Sequence, residues 1–530
     1  MLLFCESAYF FASHDGGGTM TSKGLFTDID LKRISEEGLT EEDVRSQLTI
    51  FTRGVPPITL NRPCTIGDGI AAVADEEQEP LIKAHETAAA QGQMSAFVPA
   101  SGAATRMFSE WFHYEETTGF DESEAGEKFA EDLSRFAFYD DLKEIIAEKG
   151  GNLATLLQAR RYTTVLQYIL SPEGLNYAHL PKALLKFHTY PEGSRTSLEE
   201  HLIEAARYIT DSDRMCRFHI TVSEEHKPAI ETSLHHIRER CERDYNVRFH
   251  ISLSVQQSST NTIAVDMDNR PFRDDTGTLV FRPGGHGALL KNLNSIKNDI
   301  IFLKNIDNIA PDRLKPQCIL HKKILGGYAV SLQRKIHSYL QRLSEGPVDD
   351  TLLSEILHFS KEKLFTLFPP EFDNLSCEGK TPIVFDILNR PLRICGMVKN
   401  EGEPGGGPYW MKDNRTPSPQ IIEQAQIDLT SEEQQQVMRS STHFNPVDVV
   451  CAVRDFRGDI FDLEHYVNRN AYFISQKSFE GKHLKALEHP GLWNGAMAHW
   501  ITVFVEVPIT TFNPVKTVYD LLRKEHVPEP

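Results

Sequence analysis

The sequence predicts an α/β fold: a Rossmann-like mixed sheet flanked by helices and carrying helical insertions. Three observations predict it. Short apolar runs that read as buried strands (Met94 to Val98, Arg217 to Val222, Phe249 to Leu253, Thr278 to Phe281, Ile300 to Leu303) alternate with stretches of helical periodicity. That alternation favours a largely parallel sheet whose ligands sit at the carboxyl ends of the strands. Several of these runs open into loops of glycine and other small residues, where a backbone can approach a ligand closely. The chain has 530 residues, 40% hydrophobic and 25% charged, enough for more than one packing unit and ordinary for a globular protein.

Taken in order, residues 1–23 read as a flexible tail with a Gly16-Gly17-Gly18 run, and 24–92 as a polar, helical N-terminal segment. Asp30-Leu31-Lys32 and Glu41-Glu42-Asp43 mark its solvated faces. Residues 93–310 form the α/β core, interrupted at about 112–178 by a helical insertion with apolar Phe129, Leu133, Phe136, Leu153, Leu156 and Leu157. A later helix start is signalled by a capping box, Ser197 with Glu200, ahead of an apolar face of Leu198, Leu202, Ala205, Ala206 and Ile209. Residues 311–390 read as helical, with helices from Lys322 to Leu340 and Leu352 to Phe368 closed by Pro369-Pro370. Residues 391–530 complete the core with strands at Arg393 to Val398 and Ile501 to Val507; between them, Asn400 to Pro408 is too rich in glycine for regular structure.

Lys and Arg number 56 against 75 Asp and Glu, a net charge of -19 that opposes binding to a nucleic-acid backbone. A small charged molecule in a locally cationic pocket remains compatible with it. The eight cysteines include no C-x-x-C pair, so neither a zinc site nor a disulfide framework is expected. The first residues lack a basic region, and no apolar run reaches membrane-spanning length, so a cytoplasmic protein without membrane partners is expected.

Several segments carry candidate chemistry. The loop Ala100 to Arg106 joins a strand to a helix; its backbone N–H groups at Ser101, Gly102 and Ala103 can converge on an anion, with Arg106 as a bidentate phosphate partner, or the loop is a tight packing turn. Lys182, after Pro181, is a point charge for a phosphate or a solvated surface lysine. Arg282 to Gly287 holds three glycines that let the backbone lie flat on a ligand, with His286 able to donate. Asp307, after the strand Ile300 to Leu303, is a magnesium ligand or a helix N-cap. Near the end, Glu506 offers an acid for sugar hydroxyls and Lys516 a cation for a second phosphate; His443 reads as a satisfied histidine.

In order along the chain, these segments resemble the nucleotidyltransferases that make nucleotide sugars, whose fold is GT-A-like. Val98-Pro-Ala-Ser-Gly-Ala-Ala-Thr-Arg-Met107 resembles their glycine-rich loop, Pro181-Lys182 their Pro-Lys pair, and Glu199-Glu-His-Leu202 the helix that follows. Pro283-Gly-Gly-His-Gly287, Asn305-Ile-Asp-Asn308 and Phe512-Asn-Pro-Val-Lys516 are similar to motifs of the UDP-sugar pyrophosphorylases. The whole chain from about residue 24 also resembles an uncharacterised bacterial family of unknown function. The pyrophosphorylase resemblance implies a magnesium-dependent enzyme joining an NTP, UTP above all, to a sugar 1-phosphate with loss of pyrophosphate. It further implies that Arg106, Lys182 and Lys516 act in catalysis, that Asp307 holds Mg2+, that Ser101, Gly102, Ala103, Gln256, Gly285 and His286 bind the nucleotide, and that Glu506 binds the sugar. A glycosyltransferase using a finished nucleotide sugar, or a non-catalytic nucleotide-binding protein, would keep the fold and change the chemistry.

Overall fold

The computed structural model describes residues 25–102, 104–116, 119–402, 405–412 and 416–528; the tail expected at 1–23 and Ala103 lie outside the described residues. The fold is mixed α/β. Its centre is a nine-stranded sheet of β1 (Thr65–Ile66), β2 (Gly69–Ala71), β3 (Met94–Pro99), β4 (Met215–Val222), β5 (Arg248–Val255), β6 (Ile300–Leu303), β7 (Leu392–Lys399), β8 (His443–Ala452) and β9 (Ile501–Glu506), in spatial order β1-β2-β9-β7-β8-β6-β3-β4-β5. Neighbouring strands pair in parallel, except that β8 runs antiparallel to both β6 and β7. Strands β3 and β6 are buried almost throughout and, Ser95 apart, apolar, because central strands are covered on both faces.

Helices α1 (Asp75–Ala90), α2 (Ser197–Ala206), α3 (Lys227–Tyr245) and α4 (Lys315–Ser344) are among those that flank the sheet. Helix α4 lies against α1 at Gly326 and Gly327, where a Cβ would meet His85 Nδ1 at 2.4 Å and the Leu81 carbonyl oxygen at 1.8 Å. Larger residues would force the two helices apart. The insertion folds as helices Ser109–Glu116, Glu124–Asp132, Tyr139–Glu148, Leu153–Gln158 and Tyr162–Leu170 around its own apolar cluster. Trp111 at its centre meets Phe129 and Phe136 edge-on at 5.4 and 5.5 Å, and the cluster reaches Ile309 and Val515, which flank the carboxyl rim of the sheet.

Several expectations are corrected. The N-terminal segment is not wholly helical: besides β1 and β2 it holds Leu60–Pro63, which pairs with Gly407–Met411, a strand at the end of the glycine-rich loop. Strands this short show no periodicity to read. Asp30 is buried, not solvated, with both carboxylate oxygens on Arg273 at 2.6 and 2.9 Å. The cap of α2 is Thr196, whose hydroxyl accepts from Glu199 N at 3.2 Å; Ser197 instead donates to Ile306 O at 2.9 Å, and Glu200 is sequestered with His188, Tyr190 and Lys315. The expected strand at 278–281 shrinks to Phe281–Arg282 in a four-stranded sheet with Thr262–Val265, Lys482–Glu488 and Phe473–Phe479. A further helix, Cys377–Leu388, contains Pro382, which hid it from periodicity.

Burial also sets how stability responds to acid. His85, His201 and His219 are held down to about 4 by burial, and His526 to about 3 by burial with His188 beside it. An unfolded chain protonates its histidines near 6.5, so the unfolded state binds more protons throughout the interval below that value. Stability is therefore full above about pH 6.5 and falls towards pH 4, by up to about 1.4 kcal/mol per pH unit for each ring. The urea midpoint followed across this interval is expected to drop steadily; a flat profile would mean that the folded protein protonates these rings freely.

Candidate active site

After Pro99 the chain turns through Ser101 and Gly102 into a single-turn helix, Ala104–Phe108. Ala100 N donates to Thr221 O at 2.7 Å, fixing the turn to the end of β4, and Ala104 N donates to Leu180 O at 3.2 Å, which brings it against Pro181 and Lys182. Arg106 is exposed on this turn, with no hydrogen bond or ion pair among the described residues.

On the neighbouring strand, Lys304 N donates to Phe97 O at 2.9 Å, and the chain then runs through Asn305 to Asn308. Asn308 is buried: its Nδ2 donates to Val447 O and Thr511 O, both at 3.3 Å, and its Oδ1 accepts from Asn513 N at 2.7 Å. Val515 N donates to Asp307 O at 3.0 Å. Lys182 closes the arrangement, with Nζ 2.8 Å from Asp307 Oδ1 and donating to Val515 O at 3.1 Å. Lys516 is next in the chain; its backbone N–H donates to Asp520 at 2.8 Å, while its exposed ammonium lies 5.9 Å from the centre of the Phe444 ring. Arg106, Lys182, Asp307 and Lys516, far apart in sequence, thus sit on adjoining loops tied by backbone hydrogen bonds. A cleft of about 830 Å³ at Lys516 is lined also by Arg313, Phe512, Asn513, Pro514 and Arg523, among others, and not by Arg106, Lys182 or Asp307.

The rim also holds buried polar atoms without a hydrogen bond among the described residues: Ser223 Oγ after β4, Asp307 Oδ1 after β6, His443 Nε2 at the head of β8 and Glu506 Oε1 at the end of β9. The Lys182–Asp307 contact is ionic but lacks hydrogen-bond geometry. Buried polar groups normally find partners; Asp307 has an ionic one in Lys182, while Ser223, His443 and Glu506 have hydrogen-bonding capacity left along this rim that a polar ligand would complete.

Gln256 follows β5 at the same rim, half-buried, two strands from β3 and hence about 10 Å along the sheet. The Gly285 loop lies close by: Asn292, just beyond it, donates to Val255 O at 3.0 Å. Gly285 has φ +73°, and a Cβ there would come 2.8 Å from Glu488 Oε2; at Gly284 it would come 2.4 Å from Thr260 O. Only glycine fits both contacts and backbone. His286 is engaged within the fold, its Nδ1 accepting from Leu492 N at 3.1 Å, its ring 4.5 Å from Trp493 and its Nε2 3.6 Å from Glu423. Glu506 sits three strands from β6, on the other side of β8. Ser223, Lys399 and Glu488 were not singled out by the sequence, since a lone serine, lysine or glutamate carries no motif.

Magnesium is commonly held by one or two carboxylates together with substrate phosphates. Asp307, whose Oδ1 is ion-paired with Lys182 at 2.8 Å, offers one such carboxylate once that lysine moves away; among the described residues, no three His, Cys, Asp or Glu side chains form a cage that would hold a metal unaided. No helix among the described residues is long and apolar enough to cross a membrane.

Residues 27–527 match the family described as Domain of unknown function (DUF4301). The chain belongs to that family. This agrees with the whole-chain resemblance noted from sequence. No curated protein matches the chain. Among solved structures, it is similar to a mutant UDP-glucose pyrophosphorylase from Leishmania major in complex with UDP-glucose, at 13% identity, covering 93% of this chain and 77% of that one, with a TM-score of 0.44. It is also similar to the uridine diphosphate N-acetylglucosamine pyrophosphorylase from Trypanosoma brucei in complex with an inhibitor, at 11% identity, covering 94% and 82%, with a TM-score of 0.47.

Proposed function

We propose that the protein is a magnesium-dependent nucleotidyltransferase that joins an NTP, UTP above all, to a sugar 1-phosphate and releases pyrophosphate. The observation that carries this reading is the joint of Lys182, Asp307 and Val515–Lys516 against the Arg106 turn, at the carboxyl rim of the sheet. Motifs from four parts of the sequence meet there.

The reaction forms one bond and breaks one: an acceptor phosphate oxygen attacks the α-phosphorus as the bridging α–β P–O bond breaks and pyrophosphate departs. The nucleophile is already anionic, so positioning and charge neutralisation matter more than a general base. In this reading the N–H groups around Gly102 cradle the triphosphate and Arg106 steadies the departing pyrophosphate. Lys182, released from Asp307, neutralises the α-phosphate, and Lys516 receives the acceptor phosphate. Asp307 would hold Mg2+, which when bound neutralises charge on the phosphates. Gln256 and the Gly285 loop would face the base.

The test is pyrophosphate release from each of the four NTPs with a panel of sugar 1-phosphates and magnesium. Release that needs both substrates supports the reading; hydrolysis without acceptor, or no release from any pair, overturns it. In the active pair, Lys516→Ala is expected to raise KM for the sugar phosphate by about tenfold or more while leaving the KM for the NTP within about twofold.

A further inference from the structure

We infer that the helical insertion is a strut that fixes Arg106 and Lys516 relative to each other, with Trp111 and Tyr519 as positioning residues at its joint; the inference rests on the nucleotidyltransferase reading. The four charged residues of the site are anchored in two ways. Lys182 and Asp307 stand next to Ala183 and Ile306, which are buried in the apolar core against the sheet. On either side of Arg106 the nearest buried apolar residues are Ala104 and Met107, and on either side of Lys516 they are Val515 and Val518. All four of these belong to the insertion's own apolar cluster. The sheet therefore places one pair of charges and the insertion the other.

Trp111 is fully buried on the helix Ser109–Glu116, which follows the Arg106 turn directly. Its Nε1 donates to the Tyr519 hydroxyl at 3.2 Å, and the two rings meet edge-on at 6.1 Å. Tyr519 stands in the short helix Val518–Leu522, whose Asp520 accepts from the backbone N–H groups of Lys516 and Thr517 at 2.8 and 2.7 Å. Arg135, farther along the insertion, donates to Leu522 O of the same turn at 3.2 Å. A run of contacts thus leads from Arg106 through Trp111, Tyr519 and Asp520 to Lys516 without passing through the sheet. Close-packed interiors transmit displacement, so a shift at one end of this run is felt at the other. In the proposed reaction the attacking oxygen and the departing pyrophosphate lie in line on opposite sides of the α-phosphorus. Arg106 serves the leaving group and Lys516 the attacker, so their separation sets that line. When the strut loosens, each substrate still meets its own cation, and only the alignment between them is lost. A misplacement of about 1 Å costs about 100-fold in rate.

The experiment uses the full chain with the active pair of NTP and sugar 1-phosphate, and compares Tyr519→Phe, Trp111→Phe and the double variant. Each single variant is expected to lower kcat by about tenfold or more and to leave the KM for both substrates within about twofold. The double variant is expected to lose no more than the slower single one, because both substitutions break the same link. Lost stability alone would not give this pattern: assayed well below its urea midpoint, a merely destabilised enzyme keeps its kcat. Tyr519→Phe removes one hydroxyl and keeps the ring, so it decides the matter by itself should Trp111→Phe fail to fold. An unchanged kcat in Tyr519→Phe, a raised KM for one substrate only, or losses that multiply in the double variant would overturn this inference and leave the nucleotidyltransferase reading standing. Absence of turnover in the wild type with every pair removes that reading and this inference with it.

Discussion

Replacing Lys322 by methionine is expected to cost about 3 to 5 kcal/mol of folding stability, because it strands buried negative charge. Lys322 Nζ lies 2.7 Å from Asp448 and 3.5 Å from Glu204, and Lys304 Nζ lies 3.1 and 3.3 Å from the same two carboxylates. All four side chains are no more than 4% exposed, so two cations balance two anions out of reach of water. Burial alone would raise the Glu204 carboxyl; Lys304 and Lys322 outweigh it and hold the group near 2. Without Lys322 one negative charge is left over, and the protein relieves it only by taking up a proton or loosening. The measurement is the urea midpoint at neutral pH. Adding Asp448→Leu to Lys322→Met should restore most of the loss, since no unpaired charge then remains. An unshifted midpoint in the single variant would show the four charges to be independent.

The second large effect concerns turnover. Arg106→Ala is expected to remove about 2 to 4 kcal/mol of transition-state stabilisation, about 30- to 1000-fold in kcat, with the urea midpoint unchanged. The two halves of this prediction follow from one observation: Arg106 is exposed and has no partner among the described residues, so the fold loses nothing when it goes. A leaving pyrophosphate is the partner it would serve. Arg106→Lys should recover only part of the rate, since a point charge cannot match a planar fork. Wild-type kcat in Arg106→Ala would remove this residue from the mechanism.

The two predictions differ in how far sequence alone could reach them. Arg106, Lys182, Asp307 and Lys516 stand in loops after apolar runs or beside prolines and glycines, and local pattern was enough to single them out. That Lys182 rests on Asp307 was not legible, because nothing local records a pairing across 125 positions. The Lys304, Lys322, Glu204 and Asp448 cluster was hidden for the same reason: each charge, read alone, looks like a solvated side chain. The fold class followed from strand and helix alternation. The reversed strand β8 did not, since an apolar run has no direction, and strands of two or three residues such as β1 and β2 fall below any periodicity. His443 was visible in Thr442-His-Phe-Asn-Pro446, but an unmet hydrogen bond is a property of its surroundings.

The reversed strand β8 has a geometric consequence. Because β8 is hydrogen-bonded on both sides, strands β6 and β9, which lead to Asp307 and Glu506, lie three strand spacings apart, roughly 14 Å. Backbone pairing sets that span like the marks on a ruler, so it cannot stretch or shrink to suit a different molecule. In the proposed reading, relatives that take longer or shorter acceptors would adjust by lengthening or trimming side chains at its two ends, while the rungs between stay where they are.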